Sequence, residues 1–495
     1  MKKYLPILLP LIFFKFLIQF IGNLNYGFHR DELLHLSVSE HLDWGYFEFP
    51  PFIAFIGKLS YFFFDYALWG VRLFPTLTGI AILILCCLMA KEMGGKSKAI
   101  LLAGISVLAF VPFYRNHTLF QPVAFDQLFW ALGFYLVIKY INKENTKDLL
   151  LLGLIAGLGL LNKYTMFVWG FGIAIGFIFY NRGSLFKSKW LYISGLIAFL
   201  IFIPNLLWQI KQGVPFFDHM RELNDSQLSE QGIWDFVVDQ LLIIPTLGIS
   251  LIGAVSLLIS SRLKKYRSLG VAFLVMFTTM WILKAKSYYF FAAYPLVFAS
   301  GAVKIEQWLS QKPTWNYVVA GFMFLSVLYF IPTMTPVLAI DTYTKWYGVE
   351  EENGRFELTG DYADMFGWEE QVALVDSVYR SLTPQEQENS VLWAENYGEA
   401  GALKILGKKY NLPNPISRHG SFWYWGYGNP SAEIWISLGN EKEAVEYAFN
   451  DCVLIKTITH KYAIDEENGI PLYLCRNPKV NIPEWWAAYE NYVFD

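Results

Sequence analysis

Residues 4–41 read YLPILLPLIFFKFLIQFIGNLNYGFHRDELLHLSVSEH, and the boundary inside this stretch decides the fold. From Tyr4 to Gly22 nearly every side chain is apolar, and a helix of that length crosses a hydrocarbon core of about 30 Å. The segment lacks a small-residue cleavage site and exceeds the apolar run of a secretory leader, so a retained membrane span is expected. Directly beyond it, positions 27–41 gather an Asp-Glu pair and three histidines.

The rest of the chain repeats the first motif. Hydrophobic residues make up 55% of the 495 positions and aromatics 18%, with charged residues at 16%. Soluble domains carry roughly 25% charged residues. The mean hydropathy is +0.34. The apolar residues come in blocks near 4–22, 68–90, 99–114, 120–141, 149–162, 164–180, 190–209, 236–259, 269–284, 287–303 and 315–336. These are about eleven candidate spans, which predicts an α-helical polytopic membrane protein. A net charge of −3 says nothing about nucleic acid, and with no basic run to suggest one, no nucleic-acid partner is expected.

Lysines and arginines set the expected orientation. One alternate set of connectors carries Lys2 and Lys3, KEMGGKSK, NKENTKD, NRGSLFKSKW, SRLKKYR, and Lys304 to Lys312. Short basic connectors belong in the cytoplasm. The other set (23–67, 115–119, the NKYT break, 210–235 and KAKS) is longer or less basic. The N-terminus is therefore expected inside, and an odd number of spans puts the C-terminal part outside.

After residue 336 charged and turn residues return, in segments such as LPNPIS and YWGYGNPS. Residues 1–336 are read as the membrane domain and 337–495 as one soluble extracytoplasmic α/β domain, with helices near 368–381 and 396–408 and strands in EIWISL, CVLIKTITH and PLYLCR. Cys86 and Cys87 fall inside the second span. Cys452 and Cys475 flank two strand-like runs, where a disulfide suits an oxidising compartment; the residues alone leave the pairing open.

Positions 31–43 fit one short helix. At 100° per residue Asp31, Glu32, His35 and Ser39 share an arc of about a quarter turn, with leucines over much of the remainder. Such a helix is expected along the membrane surface, followed by a second interfacial helix in PPFIAFIGKLSYFFF, so that 31–64 form an interfacial layer. A plainer reading has Asp31 cap the helix and Glu32 favour its dipole.

HRDELLHLSVSEHLDWGYFEFPPFIAFIGKL at 29–59 and VRLFPTLTGIAILILCCLMAKEMGG at 71–95 resemble the bacterial family 39 glycosyltransferases. These are relatives of protein O-mannosyltransferases and of the lipid A aminoarabinose transferase. The resemblance continues through PVAFDQLFWALG, GLGLLNKYT, KAKSYYFFAAYPLVFASGA and ENYGEAGAL, and so covers nearly the whole chain. It implies the GT-C fold: a helical bundle, two surface helices in the first outer loop and an extracytoplasmic C-terminal domain. It also implies transfer of a sugar, with inversion, from a polyprenyl-phosphate donor to an acceptor hydroxyl on a lipid, glycan or protein. The family's essential Asp-Glu motif matches Asp31 and Glu32, and the Asp of PVAFD matches Asp126.

The chemistry asks for the same residue types. An acceptor hydroxyl needs a carboxylate to take its proton. A departing lipid phosphate needs cations or donors, and Lys163, Lys284, Lys286 and Tyr288 are the candidates. A snorkelling lysine or an interfacial aromatic belt explains the same residues without chemistry. By resemblance, Glu48 and His219 match a divalent-metal site, though two protein ligands are few for one. The chain departs from the aminoarabinose transferase at Phe49, where that enzyme has a lysine, and carries no β-trefoil-length insert between spans. A polytopic transporter of lipid-linked or small solutes is the competing class, and an inactive anchoring protein a third. Transporters tend to show two similar halves, which this sequence lacks.

Overall fold

The computed structural model describes residues 2–180, 186–228 and 232–488. Each apolar block becomes helical: α1 (Leu5–Asn23), α4 (Leu68–Glu92), α5 (Ser97–Ala109), α6 (Pro122–Lys143), α7 (Thr146–Leu160), α8 (Thr165–Phe179), α9 (Lys189–Lys211), α10 (Leu247–Ile259), α11 (Arg267–Ile282), α12 (Tyr294–Trp308) and α13 (Trp315–Leu328). Between α1 and α4 lie α2 (Arg30–Val38) and α3 (Phe52–Phe64). The helices differ in length. Among the described residues five helices are long and apolar enough to cross a membrane singly, and α10 with the 264–282 helix forms a further pair bent by 92°.

The shortening has local causes. α5 stops at Phe110 because Pro112 follows, and a five-residue turn (Pro112–Asn116) re-aims the chain. The block expected at 236–259 breaks into Asp235–Leu241 and α10. Residues 181–185 of the basic NRGSLFKSKW connector lie outside the described residues. The other basic connectors gather at one end of the bundle. Arg262 donates to the Gly94 carbonyl at 2.7 Å, Tyr266 donates to Glu92 O and Asn142 Oδ1, and Glu306 accepts from the amides of Lys96, Lys98 and Ala99.

Small residues set helix spacing. A Cβ on Gly153 would stand 2.3 Å from the Ser194 carbonyl, and one on Gly157 would stand 3.0 Å from that of Ala198. This GxxxG pair therefore lets α7 and α9 pack backbone to backbone, which is how helices associate where burial in lipid supplies no hydrophobic drive.

Beyond the bundle, β1 (Ser390–Ala394), β2 (Ile434–Leu438), β3 (Phe449–Ile458) and β4 (Ile470–Pro478) form a sheet in the order β1-β2-β4-β3. β1 and β2 run parallel and the other pairs antiparallel. One face, with Leu392, Ala394, Ile436 and Leu472, packs with α14 (Trp368–Ser381) and α15 (Tyr397–Ile405) into the core shared with the bundle. The other face, with Val391, Trp393, Trp435 and Tyr473, is covered by α16 (Lys442–Ala448) and α17 (Ile482–Ala488). Cys452 and Cys475, register partners on β3 and β4, are joined as a disulfide. Cys86 and Cys87 are buried thiols.

The expected interfacial layer is only partly surface. α2 ends at Val38 and is buried on every side, with Leu33, Leu36 and Val38 fully enclosed. α15 roofs it so closely that a Cβ on Gly401 would come within 2.8 Å of Leu33 Cβ. The amphipathic pattern marks a helix held between bundle and sheet domain. α3 keeps an exposed apolar edge at Phe55, Phe62 and Phe63, as an interfacial helix should.

Candidate active site

The N-terminus of α2 is capped by His29, not by Asp31. His29 Nδ1 accepts from the Asp31 amide at 3.1 Å, and Glu32 closes the box by accepting from the His29 amide at 2.9 Å. Capping thus leaves the Asp31 carboxylate for other partners. Its Oδ2 accepts from Gln121 Nε2 at 2.8 Å, and its Oδ1 accepts from the Tyr397 hydroxyl at 3.3 Å.

Glu32 points elsewhere. Its side chain and that of Arg72 are both wholly buried, with Arg72 Nη2 at 2.8 Å from Glu32 Oε2 and Arg72 Nε at 3.1 Å from Oε1. The Phe120 amide adds a bond at 2.9 Å, and Arg72 also holds the Gly27 carbonyl at 2.7 Å. This network ties α2 to α4 and to the turn before α6. It fixes the frame from which Asp31 projects.

Around Asp31 the field is positive. Arg115 grips Asp361 through Nε (2.7 Å) and Nη2 (2.6 Å) and donates to Gln121 Oε1 at 3.0 Å. His29 Nε2 lies 3.5 Å from Asp361 and 3.4 Å from Asp364, and Arg30 Nε bonds Asp364 at 2.9 Å. Burial works against the His29 imidazolium, but Asp361, Asp31 and Asp364 outweigh it and raise its pKa. Burial likewise opposes the Asp31 carboxylate, and the charges of His29, Arg115 and Arg30 overcome that and hold its pKa below the usual range. His35, on the same helix face, is pushed down to about 4 by burial, so it stands neutral at pH 7, with its Nδ1 2.9 Å from the Phe120 carbonyl.

A second group sits beside the first. Asp126, buried on α6, accepts from Thr165 Oγ1 at 2.8 Å. Lys163 Nζ lies 3.6 Å from the centre of the Tyr289 ring and 5.4 Å from that of Tyr288, and its charge reaches Asp126. Tyr288 shares the electrostatic neighbourhood of Arg115 and Asp31, and Lys286 that of Tyr289 and His219. The structure thus brings Asp31, Asp126, Lys163, Lys286 and Tyr288 together. Lys284 occupies the left-handed turn (φ 48°) after α11.

The metal expectation fares differently. Both Glu48 oxygens accept from Ser421, through its amide at 2.8 Å and its hydroxyl, and burial raises the Glu48 carboxyl. His219 packs edge-on against Phe47, and burial together with Lys286 lowers it to about 4. Among the described residues no three His, Cys, Asp or Glu side chains converge as a metal would require. The residues present do not fit a metal held by protein ligands alone.

Arg115, Gln121, Tyr397, Asp361 and Asp364 are absent from the sequence reading of the site. Arg115 offered a signal, as a lone arginine between two apolar blocks. The last three come from the sheet domain and the segment leading into it, and only the fold delivers them to Asp31.

Residues 48–208 match the family model described as dolichyl-phosphate-mannose-protein mannosyltransferase. No curated protein sequence is significantly similar to the chain. Among solved structures, ArnT from Cupriavidus metallidurans bound to undecaprenyl phosphate aligns with a TM-score of 0.63 at 11% identity, covering 94% of this chain and 97% of that one. The Archaeoglobus fulgidus oligosaccharyltransferase in complex with zinc and sulfate aligns at 0.53 and 11% identity, covering 86% and 67%. AglB from the same organism, with an inhibitory peptide and a dolichol-phosphate, aligns at 0.51 and 12%, covering 88% and 69%. The resemblance read from the motifs is borne out at the level of architecture: this chain has the GT-C fold, and residues 48–208 within it are similar to the dolichyl-phosphate-mannose-protein mannosyltransferase family model.

Proposed function

We propose that the protein transfers a hexosyl or pentosyl group from a polyprenyl-phosphate donor to an acceptor hydroxyl on a lipid, glycan or protein, with Asp31 as general base. The observation that carries this reading is the Asp31 carboxylate, kept ionised beside Arg115 and Tyr288. The structural neighbours include one protein bound to undecaprenyl phosphate and one with a dolichol-phosphate, which supports a lipid-linked donor.

The acceptor oxygen attacks the anomeric carbon as its proton passes to Asp31, and the bond to the phosphate oxygen breaks on the opposite face. One displacement inverts the configuration and needs no enzyme nucleophile. A carboxylate with a lowered pKa is a weak base, so the proton moves late, once the forming C–O bond has acidified the hydroxyl. The leaving phosphate takes the electron pair, and Lys163, Lys286, Arg115 and the Tyr288 hydroxyl are placed to meet its charge. Asp126 orients Lys163, and Glu32 holds the frame of α2. No step is routed through a metal.

The cytoplasmic membrane is the expected site, with the N-terminus inside and residues 337–495 outside. The gathering of basic connectors at one end supports this orientation, and so does the Cys452–Cys475 disulfide in the sheet domain.

The test is donor consumption by purified protein across a panel of polyprenyl-phosphate sugars. Wild type should consume at least one donor and Asp31→Asn none. Turnover by Asp31→Asn at the wild-type rate refutes the assignment.

A further inference from the structure

The sheet domain contains a cleft of about 760 Å³ whose wall includes Arg30 and Tyr397, the chain neighbour and the hydroxyl partner of Asp31. Small-molecule sites run from about 300 to 1,000 Å³. Glu395 and Asn396 follow directly on β1, and Gly439 and Asn440 follow directly on β2, its parallel neighbour. The helix after β1, α15, covers one face of the sheet, and the helix after β2, α16, covers the other. Where the connections of two adjacent parallel strands part to opposite faces, a crevice opens at the carboxyl ends of the strands, and that is where open α/β sheets bind ligands.

Asn440 supplies a second, independent sign. It is buried in the cleft wall, and its Nδ2 donates to Trp393 O (3.4 Å), Ser437 Oγ (3.0 Å) and Leu438 O (3.2 Å). Two of those acceptors are carbonyls, so the amide cannot be flipped. Its Oδ1 is left buried without a partner in the structure. A buried acceptor costs about 1–3 kcal/mol unless something donates to it.

Charge narrows the ligand. Arg30 and Arg418 face Glu395, Glu441, Glu443 and Glu466 across the lining, so acid exceeds base. Arg30 is already bound to Asp364 and Glu466, and Arg418 lies 3.6 Å from Glu395. His419, lowered to about 4 by burial and by the two arginines, adds no charge. Phosphate or carboxylate on a ligand would be repelled. Hydroxyls and amines would be met, and the exposed ring of Tyr447 at the rim offers a stacking face.

We infer that this cleft binds the acceptor as a hydroxyl-rich saccharide that is neutral or amine-bearing and carries no phosphate, presenting its reactive end past Tyr397 to Asp31. The inference rests on the transfer reading above, and its test separates the two. Full-length protein in lipid nanodiscs is titrated with chitobiose, with the glucosamine disaccharide and with a bisphosphorylated glucosamine disaccharide. Binding is read by saturation-transfer NMR.

The first two sugars should bind, and the third at least tenfold more weakly. Tyr447→Ala should weaken both binders about three- to tenfold. Glu443→Ala should weaken the amine-bearing sugar most. Both positions are exposed, so folding is not at stake. Asp31→Asn should bind sugar as wild type does. Failure of the first two sugars to bind, preference for the bisphosphorylated one, or binding unchanged in both rim variants overturns the inference. Donor turnover by Asp31→Asn in the same samples would overturn the transfer reading and leave the sugar-binding result standing.

Discussion

Arg115 and Asp361 meet through two parallel hydrogen bonds, 2.7 and 2.6 Å long, that join the turn before α6 to the segment leading into the sheet domain. The pair is part-exposed, so it adds little to stability. Its value lies in aiming a guanidinium that also reaches Gln121, Asp31 and Tyr288. Asp361→Asn should lower kcat by about tenfold with a smaller loss of melting temperature, chiefly through its contact with His29. A matched loss in both would show that the pair only holds the fold.

Glu32→Gln should behave in the opposite way. Removing one partner of a wholly buried ion pair strands the Arg72 charge, at a cost of about 3–5 kcal/mol. Thermal unfolding in detergent should show a large drop. The double variant Glu32→Gln with Arg72→Met should recover part of it, since it removes the orphaned charge.

Asp31 and the residues near it also show what the sequence could and could not disclose. Asp31, Asp126 and Lys163 each stand in a recognisable local motif. The apolar blocks announced the bundle because period and length are local properties. Local patterning carries no record of which distant segments meet. Tyr397 and Asp361 therefore stayed invisible, and so did the burial of α2, whose amphipathic face suits a membrane surface as well as a roof. β1 was missed for a related reason. SVLWA is a short apolar run buried on both faces, which periodicity alone does not separate from a helical segment.

His29 gives the docking of the sheet domain a pH dependence. Its folded pKa is raised above the unfolded value of 6.5 by Asp361, Asp31 and Asp364, against the pull of burial. A raised pKa means the folded state binds the proton more tightly. The stabilisation is therefore complete below about pH 6.5 and is lost as pH rises through the folded value. Melting temperatures of wild type should fall across that window, and those of His29→Gln should fall less. Equal slopes would remove His29 from the linkage.

Tyr397→Phe deletes a donor to the charged form of Asp31 and should let its pKa rise. At 3.3 Å the bond is long, so the acid limb of kcat/KM should move upward by less than about one unit. A larger upward shift would assign Tyr397 more of the burden than its geometry allows, and a downward one would reverse its role.

The partners of Asp31 are also ordered in time. Asp31 is made early, Gln121 follows after 90 positions and Tyr397 after 366. A ribosome that has finished the bundle has built a carboxylate without its roof, and Asp361, Asp364 and Tyr397 are added only after it. The site is in this sense self-timed. The sheet domain must be made and folded back onto α2 before the Asp31 carboxylate is enclosed, so the bundle alone leaves it open.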